Sequence, residues 1–355
     1  MLVDITALFL GISILLYCLF AGADFGGGIL ECFLGRKYRE AQKELITHAM
    51  GPVWEANHVW LILAVVILFN GFPTVYSQLS VTFHIPITIM LIGIIMRGCA
   101  FTFRHYDAVK DFRSQVYYSI IFRFSSILTP LMLGVIAGGM ALGKVIPVGM
   151  VAGFHESYVS PWFNPFCLSV GIFTCVLFAF LAAVYLIGET TDDENISREL
   201  GRIFSRRAIT TNVLAVLAGA LVFLASEYED FPLAQLFLNN PVARVCVVLA
   251  TVILIPLWLM VYFRKIFLSR VLAALQMSLI LLGWFGIQFP KMISMEWSFQ
   301  SLTIYNSAAP LTTLFYLVIA LIGGVFLIFP SLYYLLKVFK LLRVFKRSAK
   351  LDQQD

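Results

Sequence analysis

Nine stretches of this chain, near residues 5–29, 53–72, 80–103, 117–142, 165–188, 208–226, 243–263, 270–290 and 311–336, are apolar over most of their length. Each has about the 20 residues that a helix needs to cross ~30 Å of hydrocarbon. In lipid the backbone N–H and C=O groups must be paired inside the segment, so such runs resolve as helices. Composition agrees: the chain is 60% hydrophobic and 13% charged, with 32 phenylalanines, which excludes a soluble globule. The expected fold is all-α and integral to the membrane, with nine transmembrane helices.

The basic residues set an orientation. Loop 30–52 carries Arg36, Lys37, Arg39 and Lys43, loop 104–116 carries Arg104, Lys110 and Arg113, and loop 189–207 carries Arg198, Arg202, Arg206 and Arg207. Arg264 and Lys265 follow the seventh span, and the tail adds Lys337, Lys340, Arg343, Lys346, Arg347 and Lys350. The alternate loops hold only Lys144, Arg244 and Lys291. The positive-inside rule then places the N-terminus outside and the C-terminus in the cytoplasm. The net charge of +5 is a topology signal and makes no basic face for nucleic acid. The leader MLVD is acidic, so the first run is expected to remain as a helix and not to be cleaved as a signal peptide.

The expected organisation is a single membrane domain over 1–355. It divides into a first four-helix bundle (5–142), a second (165–290), a peripheral ninth helix (311–336) and a basic cytoplasmic tail (337–355). The polar stretch 189–207 reads as a short interfacial helix. The six cysteines show no C-x-x-C spacing and read as small packing residues. Gly26, Gly27 and Gly28 predict a close helix crossing, and Pro86, Pro130 and Pro256 predict kinks. Tyr76, Trp162 and Trp297 fit an interfacial aromatic belt.

Charges inside a membrane are costly, which makes them the candidate site. GPVWEANHVWLI at 51–62 sets Glu55, Asn57 and His58 between Trp54 and Trp60, and Asp24 ends the first apolar run. Arg97 and Arg104 close the third span and Arg123 opens the fourth. At 1.5 Å rise per residue, all lie within roughly 10 Å of the cytoplasmic boundary. The second half holds nothing equivalent.

Three readings of this layer stay open. One is structural: Asp24 and Glu55 pair with Arg97 and Arg123, while Arg104 faces the headgroups. Another is a cytoplasmic proton path through Glu55, with Asp24, Asn57 and His58 as partners. The third is metal ligation by Glu55 and His58, which would need a second Glu-x-x-His that the chain lacks. Among the histidines only His58 and His84 fall in spans, at opposite ends, so they cannot share one haem iron.

AGADFGGGI and WEANHVWL resemble the two most recognisable stretches of subunit II of the cytochrome bd-type quinol oxidases. There the first span ends in Asp-x-Gly-x-Gly, and the second begins with Trp, an acid, Gly, Asn, any residue and Val-Trp-Leu. Arg97, Asn164-Pro165-Phe166 and Ala183-Val184-Tyr185-Leu186 agree as well, so matched motifs cover about the first 190 residues. Ala56 stands where many members have Gly, Ala21 where many have an acid, and Glu55 where Asp is frequent. Glu for Asp keeps the charge, whereas Ala21 shortens any relay along the first helix.

The resemblance implies a haem-free subunit, with no metal or catalytic residue of its own, that pairs with a haem-bearing subunit I. That partner would hold haem b and haem d, while the complex oxidises quinol and reduces O2 to water in a bacterial or archaeal cytoplasmic membrane. In some members a quinone with a structural role sits in this subunit. Small single-helix accessory subunits are left open. The rival reading from another class is a secondary transporter or proton channel of two four-helix bundles.

Overall fold

The computed structural model describes residues 1–35, 38–106, 112–150, 153–189, 194–296 and 299–351. Arg36, Lys37, Lys110 and Trp297 lie outside the described residues, as do the side chains of Glu55, Ala56 and everything from residue 335 onward. The helices are α1 (Leu2–Cys32), α2 (Arg39–Gly71), α3 (Pro73–Thr82), α4 (His84–Tyr106), α5 (Phe112–Leu142), α6 (Phe154–Tyr158) and α7 (Pro165–Leu186). They continue as α8 (Glu194–Tyr228), α9 (Leu233–Asn239), α10 (Pro241–Val252), α11 (Leu254–Tyr262), α12 (Ile266–Gln288) and α13 (Leu311–Leu351), with a hairpin of β1 (Lys291–Ile293) and β2 (Leu302–Thr303) before α13.

Among the described residues, eight segments are long and apolar enough to cross a membrane. Where the ninth span was expected, the part of α2 from Asn57 to Gly71 meets the same criterion only together with α3, from which it is bent by 115°. Pro73 opens α3 at its first position, where the missing N–H costs nothing. The next span therefore begins at His84 and not near 80, and Pro86 sits in its first turn, where it has no helical bond to break. Pro256 acts as expected: α10 ends at Val252, whose carbonyl Pro256 cannot satisfy, and α11 starts two residues later. The described residues of the 189–207 stretch do not form a separate interfacial helix. From Glu194 they are the first turns of α8, which runs unbroken to Tyr228, because backbone pairing is indifferent to the switch from polar to apolar side chains.

Helix α7 is the centre. It packs against α1, α5 and α8, and 67% of its most apolar window is buried, against 17% for the segments Pro241–Tyr262 and Leu311–Ser331. Helix α1 packs on α2, α5 and α7, α4 on α5, α12 on α10 and α11, and α13 on α1 and α2. The core forms two clusters stacked by depth. One surrounds Phe25, Met50, Phe178 and Phe204, and the other Ile67, Phe72, Phe83 and Phe166. Trp162 belongs to the second cluster at 8% exposure, so it is a packing residue and not part of an interfacial belt.

The end of the molecule holding Phe72 and Trp162 is tied by a cap that hydropathy did not announce. Ser294 N donates to Met140 O and Glu296 N to Val145 O, while Gln78 donates to Ile146 O at 2.8 Å and accepts from Val148 N at 3.0 Å. In the second half, Asn212 joins three helices: its Nδ2 donates to Gln276 Oε1 at 3.1 Å, and its Oδ1 accepts from Trp258 Nε1 at 2.8 Å. Asn212→Leu strands the indole N–H and one face of the glutamine amide. Thermal unfolding of the purified protein should report a loss of about 1–3 kcal/mol; a variant that melts with the parent would show that the triad holds nothing.

Candidate functional site

Asp24 and Arg97 meet in the interior. Arg97 Nη1 donates to Asp24 Oδ2 at 2.6 Å, and Nη2 donates to Asp24 Oδ1 and to its backbone carbonyl, both at 2.8 Å. Nε donates to Ser126 Oγ at 3.0 Å on α5. The rings of Phe25 and Phe122 flank the guanidinium, with centroids 4.6 and 4.8 Å from its central carbon. Both charged side chains are 2% exposed or less. Buried charges are tolerable only in such geometry, where a planar fork meets a carboxylate with two parallel bonds and the remaining donors find oxygens. The pair clamps α1, α4 and α5 together.

A second pair repeats the first one step along. Glu31 lies seven residues beyond Asp24 on α1 and Arg104 seven beyond Arg97 on α4, so both pairs join residues 73 apart in sequence. Seven residues are two turns, about 10.5 Å along the same face of each helix. Arg104 Nη1 donates to both Glu31 oxygens at 3.1 and 3.0 Å, and Nη2 donates to Thr47 Oγ1 of α2. These side chains are 6% and 4% exposed, so Arg104 does not face headgroups as expected. Phe122 sits between the rungs, its centroid 5.1 Å from the Arg104 guanidinium carbon.

The glycines let the ladder close. A Cβ on Gly26 would collide with the backbone carbonyl of Phe178 on α7, one on Gly28 would fall 2.5 Å from Ser126 Cβ on α5, and one on Gly27 would approach Met50 of α2 at 3.1 Å. Successive helical residues are turned by about 100°, so three consecutive glycines serve three different neighbours.

Beyond the second rung is a cavity of about 430 Å³ lined by Glu40, Lys43, Glu44, Thr47, His48, Arg104 and Gln115. Burial, followed by the charge of Arg104, pushes the Lys43 ammonium below its ordinary value, with Glu31 and Glu40 opposing.

The α2 residues lie beside this layer. Trp54 packs edge-on against His58, centroids 5.4 Å apart, and leans on Phe101 at 5.9 Å. Asn57 is wholly buried, and Trp60 is 3% exposed against Phe329 of α13. Glu55 is in the helical backbone of α2, and its side chain lies outside the described residues. Arg123 donates from Nε to Ser119 O of its own helix at 3.0 Å.

Of the residues expected here, the structure brings together Asp24 and Arg97. Sequence reading missed Glu31, Thr47, Ser126 and Phe122. The repeated spacing of seven on two helices was a usable signal for Glu31. The second half is also not empty of such groups: Arg270 of α12 contacts Glu189 at 3.2 Å and donates to Tyr185 O at 2.6 Å.

Fold and site together define a polytopic membrane protein with an ion-paired layer buried toward one end. The family model of cytochrome bd terminal oxidase subunit II matches residues 2–339, and the chain belongs to that family. It is 29% identical over 235 residues to cytochrome bd ubiquinol oxidase subunit 2 of Bacillus subtilis, covering 58% of this chain and 66% of that protein. To cytochrome bd-I ubiquinol oxidase subunit 2 of Escherichia coli K12 it is 26% identical over 247 residues, covering 67% and 63%. The chain thus aligns with just under two thirds of the length of these relatives. A solved bd oxidase from Geobacillus thermodenitrificans has a chain of the same fold, with a TM-score of 0.73 at 20% identity, covering 95% of this chain and 98% of that one.

Proposed function

We propose that this chain is the haem-free subunit II of a membrane quinol oxidase, which pairs with a haem-bearing subunit I and contributes a cytoplasmic proton path to the reduction of O2 to water. The observation that carries the reading is the one-sided polar layer. Two ion pairs hold α1, α4 and α5 rigid beside the α2 stretch Trp54–Trp60, with a charged cavity next to the outer rung. In this reading the roles divide. Asp24, held by two charge-assisted bonds from Arg97, is an anchor, whereas Glu55, Asn57 and His58 form the stretch along which protons move. The relatives' names support quinol as the substrate of the complex.

The two histidines within the expected spans lie too far apart to share one haem iron. His58 packs on Trp54, while His84 lies near the opposite end with Nδ1 2.9 Å from Val81 O and its ring against Tyr158. Haem b and haem d are assigned to the partner in this proposal, on the family resemblance, and no step here runs through them. The loop charges support nine spans, an outside N-terminus and a basic tail in the cytoplasm, within a bacterial or archaeal cytoplasmic membrane. Two four-helix bundles with a peripheral ninth helix belong to this proposal, and the low burial of Leu311–Ser331, 17%, supports the peripheral place of α13. A structural quinone and single-helix accessory subunits belong to the same proposal. Nothing in the site favours the transporter alternative.

Co-expression with its neighbouring genes should yield a complex with a haem optical spectrum and quinol-dependent oxygen uptake; recovery without any haem-bearing partner refutes the reading. Glu55→Gln tests the path. Assembly and haem content should stay near the parent while oxygen reduction slows about tenfold or more. Unchanged turnover across neutral pH would leave Glu55 a structural residue.

A further inference from the structure

Helix α13 has 41 residues and so a length of about 60 Å, twice the hydrocarbon that a span must cross. Its apolar segment ends at Ser331, which leaves residues 332–351, about 30 Å of helix, beyond the span. Pro330 stands at the junction. Without an N–H it cannot bond Phe326 O, and a helix changes direction at such a position. Its neighbours mark the same level: Phe329 packs on Trp60 of α2, centroids 5.8 Å apart, while Tyr333 and Tyr334 are 70% and 69% exposed. Exposed tyrosines at the end of an apolar run are the mark of the membrane–water interface.

The segment beyond the junction has the pattern of a helix that lies on a membrane. It carries six bases and, through Leu351, no acid. At about 100° per residue, Leu335, Val338, Leu341, Leu342, Phe345 and Ala349 fall within an arc of about 120° that holds no charged residue. Lys340, Arg343 and Arg347 stand opposite. A straight projection into the water would leave the apolar arc bare, and an acidic soluble partner would first have to be recruited. An anionic bilayer surface is already present where the segment begins, at the high local concentration that a covalent link provides. Acyl chains take the apolar arc and headgroup phosphates take the bases.

We propose that residues 332–351 form an in-plane anchor, turned at Pro330, that binds anionic phospholipid headgroups in the leaflet where α13 ends. That this leaflet is the cytoplasmic one rests on the orientation proposed above. The anchor gives α13 a second hold. Its span is only 17% buried, and a tail fixed to the surface keeps Phe329 against Trp60 of α2.

The test uses the complete oxidase complex in lipid nanodiscs, one set of phosphatidylcholine alone and one with phosphatidylglycerol as about a third of the lipid. Hydrogen exchange read by mass spectrometry should show the amides of 335–351 protected at least about tenfold more in the anionic discs. At about 1 M salt, where charges are screened beyond ~3 Å, most of that difference should vanish. The combined variant Lys340→Gln, Arg343→Gln, Lys346→Gln and Arg347→Gln should exchange alike in both discs; if it does not assemble, the two lipids and the salt dependence of the parent decide. Equal exchange of the parent in both discs would overturn the anchor. So would protection that appears only with an added acidic soluble protein, which would make the segment a protein-docking helix. Both faces of a disc are alike and no turnover is read, so a failure here leaves the orientation and the oxidase reading standing.

Discussion

Arg97→Leu is expected to destabilise the folded subunit by about 3–5 kcal/mol, because it leaves the Asp24 carboxylate buried with no countercharge. The loss should appear as a collapse in assembled complex on size exclusion and a large drop in melting temperature. Arg97→Lys should fall between, since an ammonium cannot make the bidentate contact and also reach Ser126. The informative variant is the double one. Replacing Asp24 and Arg97 together by leucine removes both charges from a site where each is 2% exposed or less, and with them the desolvation that their attraction had to offset. It should be markedly more stable than Arg97→Leu alone, with a coupling of at least about 1 kcal/mol. Equal melting of the parent and Arg97→Leu would show that the pair does not lock the three helices.

The second large effect needs no charge at all. Gly26→Ala puts a methyl group into the Phe178 carbonyl and within 2.8 Å of Ala182 Cβ, so the backbones of α1 and α7 must part. Helix α7 is the centre of the molecule, and separation there disturbs every layer. Overpacking on this scale should cost about 3 kcal/mol or more. Gly27→Ala, one residue away, meets the flexible Met50 side chain at 3.1 Å and Ile46 Cγ2 at 3.3 Å but no backbone, and should cost about 1 kcal/mol, less than Gly26→Ala. Gly28→Ala displaces Ser126 and with it a partner of Arg97, so it should fall between. Melting temperatures of the three variants in that order support the crossing; a flat series would contradict it.

These residues also show how far the chain could be read in advance. The three glycines announced a close crossing, but one apolar face looks like another in lipid, so the sequence could not say that each glycine meets a different helix. Asp24 and Arg97 were legible as partners because both interrupt apolar runs. Glu31 and Arg104 form an equally well-made pair, yet they were lost. Hydropathy closed the first span at 29, whereas α1 runs to Cys32. It likewise split α8 at its change of polarity, though the backbone ladder continues through it. Glu55, the most conspicuous charge in the sequence, keeps its standing as a proposal from sequence and family.

The sequence by itself determined the membrane class, the position of nearly every spanning segment and the existence of a charged layer toward one end. These follow from lengths, burial costs and the demand that each backbone pair within itself. Only the tertiary structure decided which acid meets which base, and that α7 stands at the centre. The reason is rotational. A helix that is apolar nearly all round carries no strong moment to say which face turns inward. Its orientation is set by contacts such as Gly26 with Phe178, or Asp24 with Arg97, between residues far apart in the chain.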